Sequence, residues 1–276
     1  MRVLLVGASS QLGRCLLDRV PADWSMVSTT SSELDITDLS QIVSAIERHR
    51  PEAIINTAAY TAVDNAESDE DQAFLVNAVG VKNIALACEA ANIRLVHIST
   101  DYVFDGTAVQ PYQTTDTPNP LSVYGRSKLA GELLALAHCS QSQIIRTSWL
   151  YSEYGRNFVK TMIRLAEEGK NEIQVVNDQI GCPTYAGNLA QVIIELVHQP
   201  INDRLLHYTD IDIMSWYEFA KDIFAYCEHQ SLSYCQVKPV ASIEYPTPVK
   251  RPAYSVLQSS IVLAQPLKLD YVIDKL

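Results

Sequence analysis

The sequence predicts an α/β protein with a Rossmann-type doubly wound parallel sheet and a smaller C-terminal substrate-binding lobe. Three observations support this fold class: short apolar runs alternate with helical patterns, a glycine-containing turn follows the first run, and the runs show no polar alternation. Strands separated by helices pair in parallel, and strands covered on both faces are continuously apolar. The 276 residues, 47% of them hydrophobic, can bury one large core, or a large and a small one.

The predicted elements alternate regularly through the first half of the chain and less regularly after it. Early strands are predicted at 3–6, 24–28, 53–55, 94–98 and 143–146, and early helices at 11–20, 38–48, 72–91 and 123–138. Later helices are predicted at 158–168, 188–197 and 216–227, later strands at 173–176 and 205–208, and an extended or looped tail from residue 241. We therefore expect a first domain at 1–150, partly interleaved with later helices from about 186–228, and a smaller lobe at 151–276.

Charge and cysteine content narrow the function classes. A formal net charge of −11 repels a phosphate backbone, so we expect no nucleic-acid partner. The six cysteines form no C-x-x-C pair and no histidine cluster accompanies them, so we expect no metal site and mostly buried, reduced thiols. The chain begins directly in a predicted strand and holds no apolar stretch of about 20 residues. We therefore expect a cytoplasmic protein without a membrane segment.

A dinucleotide-binding turn is predicted between the first strand and the first helix. Gly7 and Gly13 fill the outer glycine positions of such a turn, where backbone closely approaches a pyrophosphate. The middle position holds Ser10, whose side chain would either crowd the phosphates or donate its hydroxyl to one of them. Residues 29–32, at the end of the second strand, include neither the acidic residue that suits NADH nor the arginine that suits NADPH. The first domain is thus predicted to bind NAD(P), with NADPH or NADH as cofactor.

A tyrosine and a lysine stand four residues apart in the helix between the fourth and fifth strands. Tyr124 and Lys128 therefore share one helical face. A carbonyl that accepts a hydride also needs a proton, and a phenol donates one more readily when a nearby ammonium lowers its pKa. Thr100 ends the fourth strand, at the edge where ligands of parallel sheets bind. These three residues are the predicted catalytic group.

Several longer strings resemble one protein family. They span residues 56–67, 99–106, 124–132, 146–151 and 177–184, followed by Arg251-Pro252 with Ser255 and Leu257. On these strings the chain is similar to the dTDP-4-dehydrorhamnose reductase family of the extended short-chain dehydrogenase/reductase superfamily, from the first strand to about residue 257. The resemblance implies NAD(P)H reduction of the C4 ketone of a dTDP-4-dehydro-6-deoxysugar, converting dTDP-4-dehydro-L-rhamnose to dTDP-L-rhamnose.

The resemblance also assigns roles to individual residues. Tyr124 would donate the proton, Lys128 would lower its pKa and bind the nicotinamide ribose, and Thr100 would bond the reacting oxygen. Substrate contacts would come from Thr100, Asp101, Tyr102 and Trp149. Cofactor contacts would come from Gly7, Ser10, Gln11, Leu12, Gly13, Asp35, Ile36, Ala58, Ala59, Tyr60, Thr61, Ile98 and Lys128.

Purely structural interpretations of some of these residues stay open. Trp149 also suits a core position where the two lobes meet. Asp35 also suits the cap of the helix that begins near residue 38. Asp64 and Glu67 open a helical region, where carboxylates suit the helix dipole without any function.

Two other function classes remain beside the reductase. One is a non-catalytic regulatory subunit like the methionine adenosyltransferase beta subunit, which Ser10 favours and the intact catalytic group disfavours. The other is a sugar-nucleotide epimerase or dehydratase, for which Asp101 would serve as acid or base.

The C-terminal part departs most from the family pattern. Tyr254 stands where the family carries asparagine, and residues 258–276 show no clear final amphipathic helix. The expected partner is a nucleotide-sugar substrate, and a homodimer is compatible with the sequence.

Overall fold

The computed structural model describes residues 1–276. Its strands are β1 (Arg2–Val6), β2 (Ser25–Thr29), β3 (Ala53–Asn56), β4 (Arg94–Thr100), β5 (Ser142–Thr147), β6 (Leu150–Tyr151), β7 (Glu172–Val176), β8 (Ile180–Gly181), β9 (Thr184–Tyr185), β10 (Leu205–His207), β11 (Met214–Ser215) and β12 (Gln236–Val240). Its α-helices are α1 (Gln11–Leu17), α2 (Leu39–His49), α3 (Val63–Ala66), α4 (Glu70–Phe74), α5 (Val81–Ala91), α6 (Val123–His138), α7 (Phe158–Glu167), α8 (Ala186–His198), α9 (Trp216–His229) and α10 (Leu269–Ile273).

Six of these strands form one parallel sheet in the order β2-β1-β3-β4-β5-β10. In β1, Leu4 pairs with Val27 on one side and with Ile54 on the other. The predicted doubly wound parallel sheet is therefore confirmed. Because the direction of strand addition reverses at β1, the crevice beyond the carboxyl ends of β1 and β3 is the topological switch point.

Helices cover both faces of this sheet. Buried residues of α1 and α8 pack on one face, and those of α2, α5 and α6 pack on the other. A third cluster of buried residues joins α7, α9 and α10. Residues 186–228 were expected to interleave partly with the first domain. Within them, α8 and β10 lie with the large sheet, while α9 packs with α7. The boundary at residue 150 stays a prediction.

The helix predicted at 72–91 contains a feature that its periodicity did not show. The chain is helical from Glu70 to Ala91, but Leu75–Gly80 forms a π-helix between α4 and α5. A π-helical segment inside an α-helix often marks a functional site. By length and composition the helical stretch Glu70–Ala91 could also cross a membrane, since its most apolar 18 residues have a mean hydropathy of 1.3. Half of those 18 residues, however, are buried inside the protein.

The C-terminal tail was predicted to be extended or looped from residue 241, and this is wrong for Leu269–Ile273, which form a short helix. Helix α10 is only five residues long, too short for a clear periodic signal, yet Val272 and Ile273 are buried in the third cluster. Before it, Tyr254 pairs with Ile180 of β8. The tail therefore runs over both parts of the molecule.

Candidate functional site

The turn after β1 depends on its two outer glycines. Gly7 has a φ of +84°, and an added Cβ would lie 2.5 Å from the backbone nitrogen of Ala58. An added Cβ on Gly13 would lie 2.5 Å from the carbonyl oxygen of Gly7. Only glycine therefore lets this turn pack against the segment that follows β3.

Ser10 uses its hydroxyl inside the turn. The oxygen accepts a hydrogen bond from the Gly13 amide at 2.9 Å, which caps α1, and the hydroxyl donates to Thr57 Oγ1 at 3.1 Å. The amides of Gln11 and Leu12 lie in the first helical turn and have no intrahelical carbonyl to bind. These amides, more than the Ser10 hydroxyl, are available to an anion.

Gln11 ties the turn to the segment after β6. Its Oε1 atom accepts hydrogen bonds from Ser152 Oγ at 3.1 Å and from Asn157 Nδ2 at 2.9 Å. Leu12, the next residue, is buried among the residues between α1 and the sheet. The turn is thus fixed from both sides.

Asp35 and Ile36 lie in the connection between β2 and α2. The Asp35 carboxylate is exposed and accepts from the amide and hydroxyl of Thr37. Asp38, not Asp35, caps α2 by accepting from the Ser40 amide, so the capping interpretation of Asp35 is wrong. Ile36 is buried against Gly80, where an added Cβ would lie 2.7 Å from Ile36 Cδ1.

The segment Ala58 to Thr61 is anchored by Asn77, which sequence reasoning missed. Asn77 Oδ1 accepts from the Tyr60 amide at 2.8 Å, and Asn77 Nδ2 donates to the Tyr60 carbonyl at 3.0 Å. The same Nδ2 donates to Ser127 Oγ at 3.0 Å. Asn77 is fully buried in the π-helical segment, so the available signal was one polar residue within the otherwise apolar run 73–81.

Tyr124 lies beside Thr100 at the carboxyl edge of the sheet. Burial raises the pKa of Tyr124 above its usual value because phenolate is poorly solvated there, and hydrogen bonding with Thr100 acts in the opposite direction. Gly125 permits this placement, since a Cβ there would clash with the Tyr102 carbonyl oxygen. The Tyr102 ring meets the Tyr124 ring edge-on, with centroids 5.9 Å apart.

Lys128 reaches under the end of β4. Its Nζ donates to the Ile98 carbonyl at 2.7 Å, and the side chain is buried. Burial lowers the pKa of Lys128 to about 8, and the charge of Glu132 opposes that shift. In this structure Thr100, rather than Lys128, is the group that lowers the pKa of Tyr124. The predicted action of Lys128 on Tyr124 stays a prediction.

Asp101 is buried next to Thr100. Thr100 Oγ1 donates to Asp101 Oδ1 at 3.0 Å, and Asp101 Oδ2 has no hydrogen-bond partner. Burial raises the pKa of Asp101 to about 6, while hydrogen bonding with Ser255 and Thr100 opposes the rise. The site therefore contains a carboxyl group that is free on one oxygen.

Trp149 stands where the end of β5 meets the smaller lobe. It is half-buried, has a φ of +48°, and stacks on Trp216 with ring centroids 3.5 Å apart. An added Cβ on Gly181 would lie 2.5 Å from Trp149 Cε2. A non-glycine residue in the left-handed region is strained and recurs at functional sites. This position is compatible with both the substrate role and the structural role at the lobe junction.

Asp64 and Glu67 have specific partners beyond the helix dipole. Asp64 pairs with Arg251 of the tail at 3.1 Å, and Glu67 accepts from the Val123 amide at the start of α6 at 2.8 Å. Burial raises the pKa of Tyr102 to about 12, and the nearby charge of Arg251 partly opposes this rise. The tail thus reaches the site through Arg251.

These features fit a nicotinamide dinucleotide. The turn has no room for a Cβ at Gly7 or Gly13, and the first-turn amides of α1 are available. Ile98 and Thr100 lie at the carboxyl end of β4, which β3 separates from β1, and Lys128 of α6 binds the Ile98 carbonyl there. The turn is suited to a pyrophosphate and Lys128 to a ribose hydroxyl.

Known proteins of one family are similar to this chain over nearly its whole length. A family model described as the RmlD substrate binding domain matches residues 1–268. A dTDP-4-dehydrorhamnose reductase from Aggregatibacter actinomycetemcomitans is 42% identical over 265 residues, which cover 93% of this chain and 90% of that protein. A dTDP-4-keto-6-deoxy-D-glucose reductase from Streptomyces niveus is 39% identical, over 93% of this chain and 88% of that protein.

A solved structure from the same family also has a closely similar fold. The crystal structure of dTDP-4-dehydrorhamnose reductase from Bacillus anthracis in complex with NADP has a TM-score of 0.90 to this chain. The two are 41% identical, and the match covers 94% of this chain and 90% of that one.

Proposed function

Because the chain belongs to the dTDP-4-dehydrorhamnose reductase (RmlD) family, we propose that it reduces the C4 ketone of a dTDP-4-dehydro-6-deoxysugar. The preferred substrate in this proposal is dTDP-4-dehydro-L-rhamnose, which becomes dTDP-L-rhamnose. The observation that carries the proposal is that Tyr124 and Lys128 of α6 lie at the carboxyl end of β4, where Tyr124 is beside Thr100 and Lys128 binds the Ile98 carbonyl.

Residues of this chain would donate the proton and position the sugar oxygen that receives it. A bound nicotinamide dinucleotide supplies the hydride. Burial keeps Tyr124 protonated at neutral pH, so it is ready to act as the acid that donates to the sugar oxygen. Thr100 lies beside Tyr124, so its hydroxyl can reach the same oxygen. Without substrate this hydroxyl donates to Asp101, and it would turn from Asp101 to donate to the sugar oxygen. Tyr102 and Trp149 would contact the sugar.

NADPH is the cofactor that we propose to test first, with NADH compared directly. The Bacillus anthracis relative holds NADP. Neither an acidic residue nor an arginine follows β2 at residues 29–32, so this part of the sequence does not discriminate between the two cofactors.

The function is tested by one assay. The purified protein is incubated with NADPH or NADH, with and without dTDP-4-dehydro-L-rhamnose, and nicotinamide absorbance is followed. We expect oxidation of the cofactor only when the keto sugar is present, with dTDP-L-rhamnose as the product. Absence of sugar-dependent oxidation with both cofactors would overturn the proposal. A dTDP-4-keto-6-deoxy-D-glucose arm tests the activity named for the Streptomyces niveus relative.

Cellular context belongs to the same proposal. We propose a cytoplasmic enzyme that uses a nucleotide-sugar substrate and binds neither nucleic acid nor a membrane. A homodimer stays a prediction, which light scattering on the purified protein would check.

A further inference from the structure

A row of buried charged side chains runs from the site into the protein. Lys128 and Glu132 lie on α6, Arg146 lies on β5, and none of the three is more than 3% exposed. The row ends at His207 of β10, which is fully buried. The proposed reduction uses only Lys128. Burying charges is costly unless they are paired with good geometry. The burial of Glu132 and Arg146 therefore calls for an explanation beyond the proposed reduction.

Glu132 and Arg146 form a two-point ion pair. Arg146 Nε lies 2.9 Å from Glu132 Oε1, and Arg146 Nη2 lies 2.7 Å from Glu132 Oε2. The guanidinium carbon lies 5.1 Å from the centre of the Phe104 ring, and Nη1 lies 3.4 Å from His207 Nε2. This two-point geometry fixes the orientation of the Glu132 carboxylate.

The charge of Glu132 acts on Lys128. The two residues are one helical turn apart and share a face of α6. Burial lowers the pKa of Lys128 to about 8, and Glu132 is the one group that raises it. His97 faces Lys128 from β4, but burial holds the pKa of His97 well below its usual value, so His97 is neutral. Tyr124, one turn earlier on α6, is also neutral.

We propose that Glu132, oriented by Arg146, is a positioning residue that keeps Lys128 charged next to the reacting centre and so sets the upper pH limit of the reduction. The inference rests on the proposed function, in which a charged Lys128 supports proton donation by Tyr124. A neutral Lys128 would no longer help Tyr124 to give up its proton. Turnover therefore falls as the pH rises through the pKa of Lys128, and removal of the Glu132 charge moves that fall to lower pH.

The test is Glu132→Gln in the full-length protein. The neutral amide keeps the size of the side chain and removes its charge. We expect the alkaline limb of the kcat profile for keto-sugar reduction to shift toward lower pH by about one unit or more. The matched control is Glu168→Gln, which makes the same chemical change in an exposed pair with Arg164. The control should keep the native profile.

A second readout does not depend on turnover. Lysine side chains labelled with nitrogen-15 are titrated by NMR in the free protein, and the Lys128 signal is assigned with Lys128→Met. We expect Lys128 to lose its proton at lower pH in Glu132→Gln than in the native protein. If the native protein reduces no keto sugar, the proposed function fails while this titration still reports on Glu132. An unchanged titration would overturn the inference, even if the enzyme is active.

A second variant covers the case in which Glu132→Gln does not fold. Glu132→Gln leaves Arg146 buried without its carboxylate, so the double variant Glu132→Gln/Arg146→Gln removes both charges and carries the same two measurements. A folded double variant with a native pH profile and a native Lys128 titration contradicts the inference. If neither variant folds, the pair is a structural element only and the inference is wrong.

Discussion

Ser10 occupies the middle position of the turn after β1 and uses its hydroxyl for two hydrogen bonds with the protein. The hydroxyl caps α1 through the Gly13 amide and donates to Thr57, so its hydrogen bonds stay within the protein. The sequence predicted the turn from Gly7 and Gly13 but left two roles open for Ser10. Both of those roles stay predictions. The contact with Thr57 could not be predicted, because Thr57 is 47 positions away and only the folded chain brings it to Ser10.

The account of Ser10 predicts a loss of stability without a loss of cofactor affinity. Ser10→Ala removes the cap, and we expect the free energy of unfolding to fall by about 1 kcal/mol. Ser10→Gly is the matched variant, because glycine at a cap position costs only a few tenths of a kcal/mol. Urea unfolding and NADPH titration measure the two quantities. A tenfold weaker affinity for NADPH in both variants would show instead that the hydroxyl binds a phosphate.

At the scale of the elements, the π-helical segment joins the cofactor side of the site to the catalytic helix. It places Asn77 where one amide group reaches both the Tyr60 backbone and Ser127, which in turn donates to the Tyr124 carbonyl. Gly131 of α6 permits this close approach, since an added Cβ would clash with the Asn77 carbonyl oxygen. The periodicity of residues 72–91 predicted a helix but not the π-turns, because the apolar spacing continues on both sides of them.

Asn77→Ala should therefore loosen both neighbours. The change leaves the Tyr60 amide and carbonyl without their buried partner, and we expect the free energy of unfolding to fall by about 2–3 kcal/mol. NADPH should also bind more weakly, because Ala58 to Thr61 would no longer be fixed. Asn65→Ala, at an exposed position on α3, is the control for both measurements. Native stability of Asn77→Ala would contradict the role assigned to Asn77.

At the scale of the whole molecule, the tail connects the sheet to the smaller lobe. Tyr254 pairs with Ile180 of β8, Leu257 pairs with Tyr112, and the Ser260 amide donates to the His207 carbonyl of β10. The order of strands and helices, and with it the place of Thr100 and Tyr124, followed from local patterns in the sequence. These tail contacts join residues more than 50 positions apart, so no local pattern could indicate them.

Two buried histidines of the sheet, His97 of β4 and His207 of β10, make folding sensitive to acid. Burial lowers the pKa of His207 to about 4, so the unfolded chain takes up a proton at higher pH than the folded protein does. This side chain therefore costs stability as the pH falls from about 6.5 toward about 4. Asp101 acts in the opposite direction, because burial raises its pKa to about 6. A variant is needed to separate the contribution of His207 from those of His97 and Asp101.

His207→Gln should reduce the acid sensitivity of folding. Between about pH 7 and about pH 5, we expect this variant to lose about 1–2 kcal/mol less unfolding free energy than the native protein. Denaturant unfolding at each pH measures the difference, and His229→Gln, at an exposed position, should leave the native dependence unchanged. An equal acid sensitivity in His207→Gln and the native protein would contradict this account.

The central claim is that Tyr124 donates the proton in keto-sugar reduction, and Tyr124→Phe tests it most directly. Phenylalanine keeps the ring and its edge-on contact with Tyr102 but has no proton to give. Measured against dTDP-4-dehydro-L-rhamnose, kcat should fall by about 100-fold or more. The Kd for NADPH should stay within about twofold of the native value, because the glycine turn and Lys128 are unchanged. Turnover by Tyr124→Phe at close to the native rate would contradict the account.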